Sequence, residues 1–110
     1  MLRIKSGTGA ARVWGLQPAM ILAAMVCDSV MGKRGKDAVI TCGIDGKHMA
    51  GSKHYVGLAF DMRTSELTPT EVAVVRNEIK SALGDDYDIV IEGNHLHVEV
   101  DPKQPYTSVA

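Results

Sequence analysis

The chain lacks the features of a nucleic-acid-binding protein or a membrane protein. Its formal net charge is −1, and no basic run exceeds Lys33-Arg34, so nothing favours a polyanion as partner. The longest apolar run, 19–27, is roughly half a membrane span. A glycine-containing stretch separates it from Arg3 and Lys5, unlike the layout of a signal peptide. We expect no transmembrane helix and no cleaved signal, synthesis in the cytoplasm, and neither nucleic acid nor membrane as partner.

Cysteine is scarce. Cys27 and Cys42 are the only two, and their spacing fits neither a metal motif nor a disulfide framework. We expect two buried free thiols, although a disulfide depends on geometry that a sequence does not give. The 110 residues, 45% hydrophobic and 23% charged, suffice for one globular domain. We expect that domain to be a monomer.

The hydrophobic pattern predicts an α+β fold with a mainly antiparallel sheet of about four strands packed against two helices. Thr68 and Glu71 form a candidate capping box around Pro69, the clearest helix start in the chain. The predicted elements are an arm over 1–15, helices over 17–31 and 69–83, strands over 38–43, 55–63, 87–92 and 95–101, and a tail over 102–110.

The last two strands carry a register that the sequence itself predicts. Gly93-Asn94 suits a two-residue type II′ turn, which places Glu92 opposite His95 and Val90 opposite His97. Side chains alternate between the faces of a strand, so Glu92, His95 and His97 share one face.

Two separated motifs supply metal-binding side chains. One is Ser52-x-His54-x-x-Gly57-x-Ala59-x-Asp61, and the other is Glu92-x-x-His95-x-His97. Taking His97 as the ligand of its pair, two imidazoles and one carboxylate could hold a divalent cation with one position left for water, as at catalytic zinc sites. Glu92 could then accept the water's proton, and His95 could stabilise an oxyanion.

Other polar residues have weaker signals. Glu99 and Asp101 share the site face but lie further along the strand, where an outer role supporting the ligands is expected. Arg63 is either a surface residue or a partner for Asp61. His48 lies in a loop, where it is either simply exposed or in contact with substrate. Ser52, Arg63 and His48 are the candidate substrate contacts.

The two motifs resemble those of the zinc D-alanyl-D-alanine metallopeptidases, a superfamily that includes lysostaphin-type peptidases and the hedgehog signalling domain. The family pattern S-x-H-x-x-G-x-A-x-D, followed by H-x-H, is matched over 52–61 and 95–97. The resemblance implies that His54, Asp61 and His97 bind one zinc ion, that Glu92 is the general base, and that His95 assists the oxyanion or the water.

It also implies a substrate class, a peptidoglycan stem or cross-link peptide containing D-amino acids. The expected activity is that of a D,D-carboxypeptidase or of an L-alanyl-D-glutamate endopeptidase. Many relatives carry an arginine near the first strand, whereas 41–45 has none, so the bond cleaved stays open. Small members resemble phage lysis enzymes that act at the cell wall after release. The alternatives are a non-catalytic zinc-binding interaction module and a phage particle component with this fold.

Overall fold

The chain folds into one sheet with both helices on one face. The computed structural model describes residues 1–7, 9–44 and 53–102, and His48, Ser52 and most of the predicted tail lie outside those ranges. The α+β class is confirmed. The elements are β1 (Leu2–Ile4), α1 (Pro18–Gly32), β2 (Ala38–Cys42), a 3₁₀ turn (Lys53–Val56), β3 (Ala59–Arg63), α2 (Pro69–Leu83), β4 (Tyr87–Glu92) and β5 (His95–Val100).

The sheet contains one strand more than predicted. Its order is β1-β2-β3-β5-β4, and β1 pairs in parallel with β2 while the other neighbours are antiparallel. The additional strand, Leu2–Ile4, lies in the segment predicted to be a loosely packed arm. Three residues are too few to show a strand periodicity, and their partners, Ala38 to Ile40, lie far along the chain.

The predicted strand over 55–63 begins too early. Residues Lys53–Val56 form a 3₁₀ turn, and β3 begins at Ala59. Gly57 has φ +74°, a left-handed conformation that breaks an extended strand. His54 is therefore presented from a turn at the entrance to β3.

Helix α1 is less buried than its apolar sequence predicts. Met20, Ala23 and Cys27 face the core, whereas Ile21, Leu22 and Met25 are 49%, 53% and 63% exposed. A two-layer domain covers only one side of each helix, so the outer side of α1 meets solvent. Neither helix of the described ranges combines the length and apolar character needed to cross a membrane.

Helix α2 begins and ends as predicted. Thr68 and Glu71 form the capping box, and Gly84 follows the last turn. Two basic side chains of this helix cover the outer side of β4, because Arg76 donates to the carbonyl of Ile89 and Lys80 donates to the carbonyl of Tyr87. Because these carbonyl oxygens already accept hydrogen bonds, the edge strand β4 is protected from pairing with another chain.

The two faces of the sheet differ in chemistry. Phe60, Met62, Leu96 and Val98 are fully buried beneath the helices. The opposite face carries the polar motif residues in two cross-strand rows. One row pairs Asp61 with His97 and His97 with Val90, and the other runs from Arg63 through His95 to Glu92. The predicted hairpin register is confirmed, and the site lies on this open face.

Candidate metal centre

Three side chains from separate segments converge at the centre of the open face. The Nε2 atom of His54 lies 3.1 Å from Nδ1 of His97 and 3.3 Å from Oδ1 of Asp61. Nδ1 of His97 lies 3.2 Å from the same carboxylate oxygen. Zinc bonds of usual length at tetrahedral angles place ligand atoms about 3.3 Å apart. The three atoms are thus spaced like three corners of a zinc coordination tetrahedron.

In both imidazoles the outer nitrogen, the one that faces away from the centre, already has a hydrogen-bond partner. Nδ1 of His54 lies 2.7 Å from the carbonyl oxygen of Gly43, and a carbonyl can only accept, so this nitrogen carries the hydrogen. Nε2 of His97 lies 2.8 Å from Oε1 of Glu99 and donates to that carboxylate. Metal-binding histidines usually have such partners, which fix the tautomer and the direction of the ring.

These hydrogen bonds leave two lone pairs facing each other. When both rings are neutral, the inner nitrogens of His54 and His97 are acceptors, and the nearby carboxylate of Asp61 also only accepts. Three acceptors within 3.3 Å of one another repel unless a positive centre lies among them. The donor set therefore fits a metal ion, or a proton in its place.

The pKa values of His97 and Asp61 reflect the same need for a positive charge at the centre. The hydrogen bond with Asp61, aided by Glu99 and opposed by burial, raises the pKa of His97 to about 9. Burial alone would raise the pKa of Asp61, but hydrogen bonds with His54 and His97 hold that pKa well below its ordinary value. Without a metal, a proton on His97 supplies the positive charge of the site.

Glu92 and His95 lie beside this centre. One potential ligand atom from each of Asp61, Glu92 and His97 lies within 4.8 Å of the other two. Nε2 of His95 is 3.3 Å from Oε1 of Glu92 and 3.7 Å from Oδ2 of Asp61. A carboxylate at this range can accept a proton from a molecule bound at the centre, and an imidazole N–H can donate a hydrogen bond to it.

Cys42 is a member of the site that the sequence did not suggest. Its Sγ lies 3.9 Å from Nδ1 of His54, and donor atoms of Cys42, His54 and Asp61 fall within 4.8 Å of one another. With His97, these side chains form a group that could hold a metal ion. Both cysteines are free, as expected, but Cys42 is only partly buried. The feature that could have identified Cys42 is strand pairing, since β2 pairs with β3 and places Cys42 opposite Asp61.

The N-terminal arm holds the segments that carry His54. The carbonyl of Arg12 accepts a hydrogen bond of 2.8 Å from the amide of Ile44, and the carbonyl of Gly57 accepts one of 2.8 Å from Gln17. A Cβ at Gly57 would lie 1.9 Å from the carbonyl oxygen of Gly15. The motif glycine is therefore required both by its backbone angle and by the close passage of the arm.

A Cβ on the glycine that supports His54 would also meet the arm. At Gly43 it would lie 2.1 Å from the carbonyl oxygen of Arg12. This contact explains why the residue whose carbonyl orients His54 has no side chain. The arm, the end of β2 and the 3₁₀ turn thus form one support for the imidazole.

The sequence also singled out Arg63, Asp101, His48 and Ser52. Arg63 is exposed beside His95, and within the described ranges it makes no ion pair with Asp61. Asp101 lies 3.5 Å from Lys53 and groups with Asp88 and Glu99. His48 and Ser52 fall outside the described residues.

Comparisons with known proteins add no family to this chain. No protein-family model, curated protein or solved structure matches it.

Proposed function

We propose that this protein is a zinc-dependent peptidase that cleaves peptides of bacterial peptidoglycan. One observation supports the proposal most strongly. The inner nitrogens of His54 and His97 and one oxygen of Asp61 are spaced for a tetrahedral cation, while the outer nitrogens are both used. Two histidines and one carboxylate leave a fourth position open, which is the pattern of catalytic zinc. The peptidoglycan substrate comes from the motif resemblance.

The residues around the centre have distinct roles. Zinc held by His54, Asp61 and His97 would make water nucleophilic near neutral pH and polarise the substrate carbonyl. Glu92 accepts the proton of the attacking water and delivers it to the leaving amine. His95 donates a hydrogen bond to the oxygen of the tetrahedral intermediate. The hydrogen bond from Nε2 of His97 to Glu99 fixes the direction of the ring, so that Nδ1 is the nitrogen that would bind the metal.

Digestion of purified peptidoglycan, with mass analysis of the fragments, tests the proposal. We expect soluble fragments with zinc and none with a chelator. Loss of a terminal D-alanine would indicate a carboxypeptidase, and free L-alanyl ends would indicate an endopeptidase. Glu92→Gln should keep zinc and lose at least about a hundredfold in turnover, the usual range for a general base. His97→Ala should lose both zinc and turnover.

Glu66→Gln is the matched control, because it makes the same chemical change at an exposed glutamate outside the centre. It should retain turnover. Full activity in Glu92→Gln would show that another group is the base. Zinc-bound protein that releases no fragment from any peptidoglycan would contradict the proposed activity.

A second candidate function is a metal-binding interaction module with a closed site. Cys42 favours it, because its sulfur lies within 4.8 Å of potential ligand atoms of His54 and Asp61. A thiolate in the fourth position would complete a two-histidine, one-aspartate, one-cysteine site, and closed sites of this kind are structural.

Cobalt substitution separates the two candidates. A cobalt-loaded protein with a ligating thiolate absorbs in the near ultraviolet through sulfur-to-metal charge transfer. The peptidase proposal expects no such band in wild type. The interaction module expects a band that Cys42→Ser removes and that the control Cys27→Ser keeps, because Cys27 is buried in α1.

A further inference from the structure

The tip of the β4–β5 hairpin contacts His95 on both sides of its ring. Nδ1 of His95 lies 3.2 Å from Oδ1 of Asn94. On the other side, Nε2 lies 3.3 Å from Oε1 of Glu92 and 3.7 Å from Oδ2 of Asp61. An amide oxygen only accepts hydrogen bonds, so Nδ1 donates to Asn94. With a hydrogen on each nitrogen, the ring has acceptors on both sides, and Nε2 is the nitrogen that faces the candidate metal centre.

The backbone of Asn94 is held by the neighbouring strand. The amide of Thr64 donates a 2.9 Å hydrogen bond to the carbonyl of Asn94, and Thr64 is only 5% exposed. Thr64 directly follows β3, the strand that carries Asp61. The turn is therefore tied to the strand beneath the centre, and the amide of Asn94 has a defined direction relative to the ring of His95.

The turn by itself does not require this contact. A type II′ turn needs glycine at its first central position and accepts many residues at the second. Serine is as ordinary a turn residue as asparagine. Its hydroxyl oxygen, however, is one bond closer to the backbone than the amide oxygen of Asn94. The contact with His95 therefore depends on the asparagine, whereas the turn does not.

We propose that Asn94 is a positioning residue that orients His95 for catalysis. This inference rests on the proposed function, in which His95 donates a hydrogen bond to the oxygen of the tetrahedral intermediate. A hydrogen on Nε2 serves that oxygen only while the ring keeps its direction, because hydrogen bonds weaken steeply as they bend. Asn94 fixes the direction before substrate binds, so the donor needs no reorganisation when the oxyanion forms.

Asn94→Ser tests the proposal, because it keeps a polar turn residue and shortens the acceptor. Turnover of a soluble stem peptide by the zinc-supplemented full chain should fall about tenfold, the lower end of the range for lost hydrogen-bond partners around a metal site. KM should stay unchanged, since the oxyanion exists only in the transition state. Asn94→Asp keeps an acceptor oxygen at the same position of the side chain and should recover most of the turnover.

Asn77→Ser is the matched control. Asn77 is exposed on α2 and also accepts a hydrogen bond from an adjacent side chain, that of Arg76 at 3.1 Å. This variant should turn over as wild type does. In a His95→Ala background, Asn94→Ser should cause no further loss, because a residue that acts through another has no effect without it. A merely structural role of the turn would lower turnover equally in both backgrounds.

Nitrogen-15 NMR of the imidazoles gives a readout that does not need turnover. In the zinc-loaded protein, Nδ1 of His95 should have the resonance of a nitrogen that carries a hydrogen. Asn94→Ser should move this resonance, and Asn77→Ser should not. The His95→Ala variant assigns the signal among the four histidines of the chain.

The inference is overturned by wild-type turnover in Asn94→Ser, by an equal loss in the His95→Ala background, or by an Nδ1 resonance that Asn94→Ser leaves in place. If peptidoglycan is still cleaved under those outcomes, the proposed function stands without this role of Asn94. If wild type cleaves nothing while Asn94→Ser moves the resonance, the peptidase proposal is wrong and the positioning of His95 by Asn94 remains.

Discussion

At the scale of single residues, hydrogen bonds to the outer nitrogens decide what the site can bind. Gly43 and Glu99 accept from His54 and His97, so both rings direct their other nitrogen at the same point. The motif spacing indicated which histidines take part. It could not indicate which nitrogen each would present, because that depends on partners from other segments.

Zinc binding should release about one proton per protein at about pH 7.5. The pKa of His97 is raised to about 9 by Asp61, so the metal-free ring is protonated at that pH and must lose the proton on ligating. Calorimetric titration in two buffers of different ionisation enthalpy measures this number. Zinc binding without proton release would show that His97 is not a ligand.

Gly57→Ala should destabilise the protein and weaken zinc binding. Alanine at φ +74° costs about 1 kcal/mol in backbone strain, and its Cβ would also collide with the carbonyl of Gly15. Gly35→Ala is the control, because Gly35 has φ +67° and open space around it. Urea denaturation should show a larger loss for Gly57→Ala, by at least about 1 kcal/mol. Equal losses of unfolding free energy in the two variants would mean that the arm moves aside for the added Cβ at little energetic cost.

At the scale of elements, the features that the sequence predicted best are those that depend on interactions between neighbouring residues. The capping box of α2 and the two-residue turn between β4 and β5 each depend on neighbouring residues. Gly93 has φ +51°, and all residues with positive φ in the described ranges are glycines, so the φ of Asn94 is negative. A type II′ turn requires this combination at its two central positions. That turn alone places His95, His97 and Glu92 on one face.

Thr68→Ala should lower the free energy of unfolding by about 1 kcal/mol without affecting zinc affinity. Thr68 accepts a hydrogen bond of 3.2 Å from the amide of Glu71, and loss of an N-cap typically has this cost. Thr70→Ala, an exposed change in the same helical turn, should stay within about 0.5 kcal/mol of wild type. A Thr68 variant as stable as the Thr70 control would mean that the cap contributes nothing.

At the scale of the whole molecule, the metal-free fold should be sensitive to alkaline pH. The pKa of His97 is raised from 6.5 to about 9. Its contribution to stability is therefore complete below about pH 6.5 and is lost as pH rises through about 9. The pKa of Asp61 is lowered, so its contribution is present above its ordinary pKa and is lost in acid.

Scanning calorimetry of metal-free protein should therefore show Tm falling between about pH 6.5 and 9. Zinc-loaded protein should change less over this range, because a ligated His97 holds no proton to lose. The His97→Gln variant should also lose this slope. An equal decline in all three samples would assign the effect to other groups.

The sequence by itself determined the α+β class, both helices and the hairpin register, because these follow from periodicity, caps and turn chemistry within a few residues. Only the tertiary structure decided that Leu2–Ile4 adds a parallel strand, that Cys42 lies beside His54, and that the arm supports Gly43 and Gly57. Each of those features joins segments more than ten residues apart. Such contacts depend on how the chain closes on itself, which no local pattern specifies.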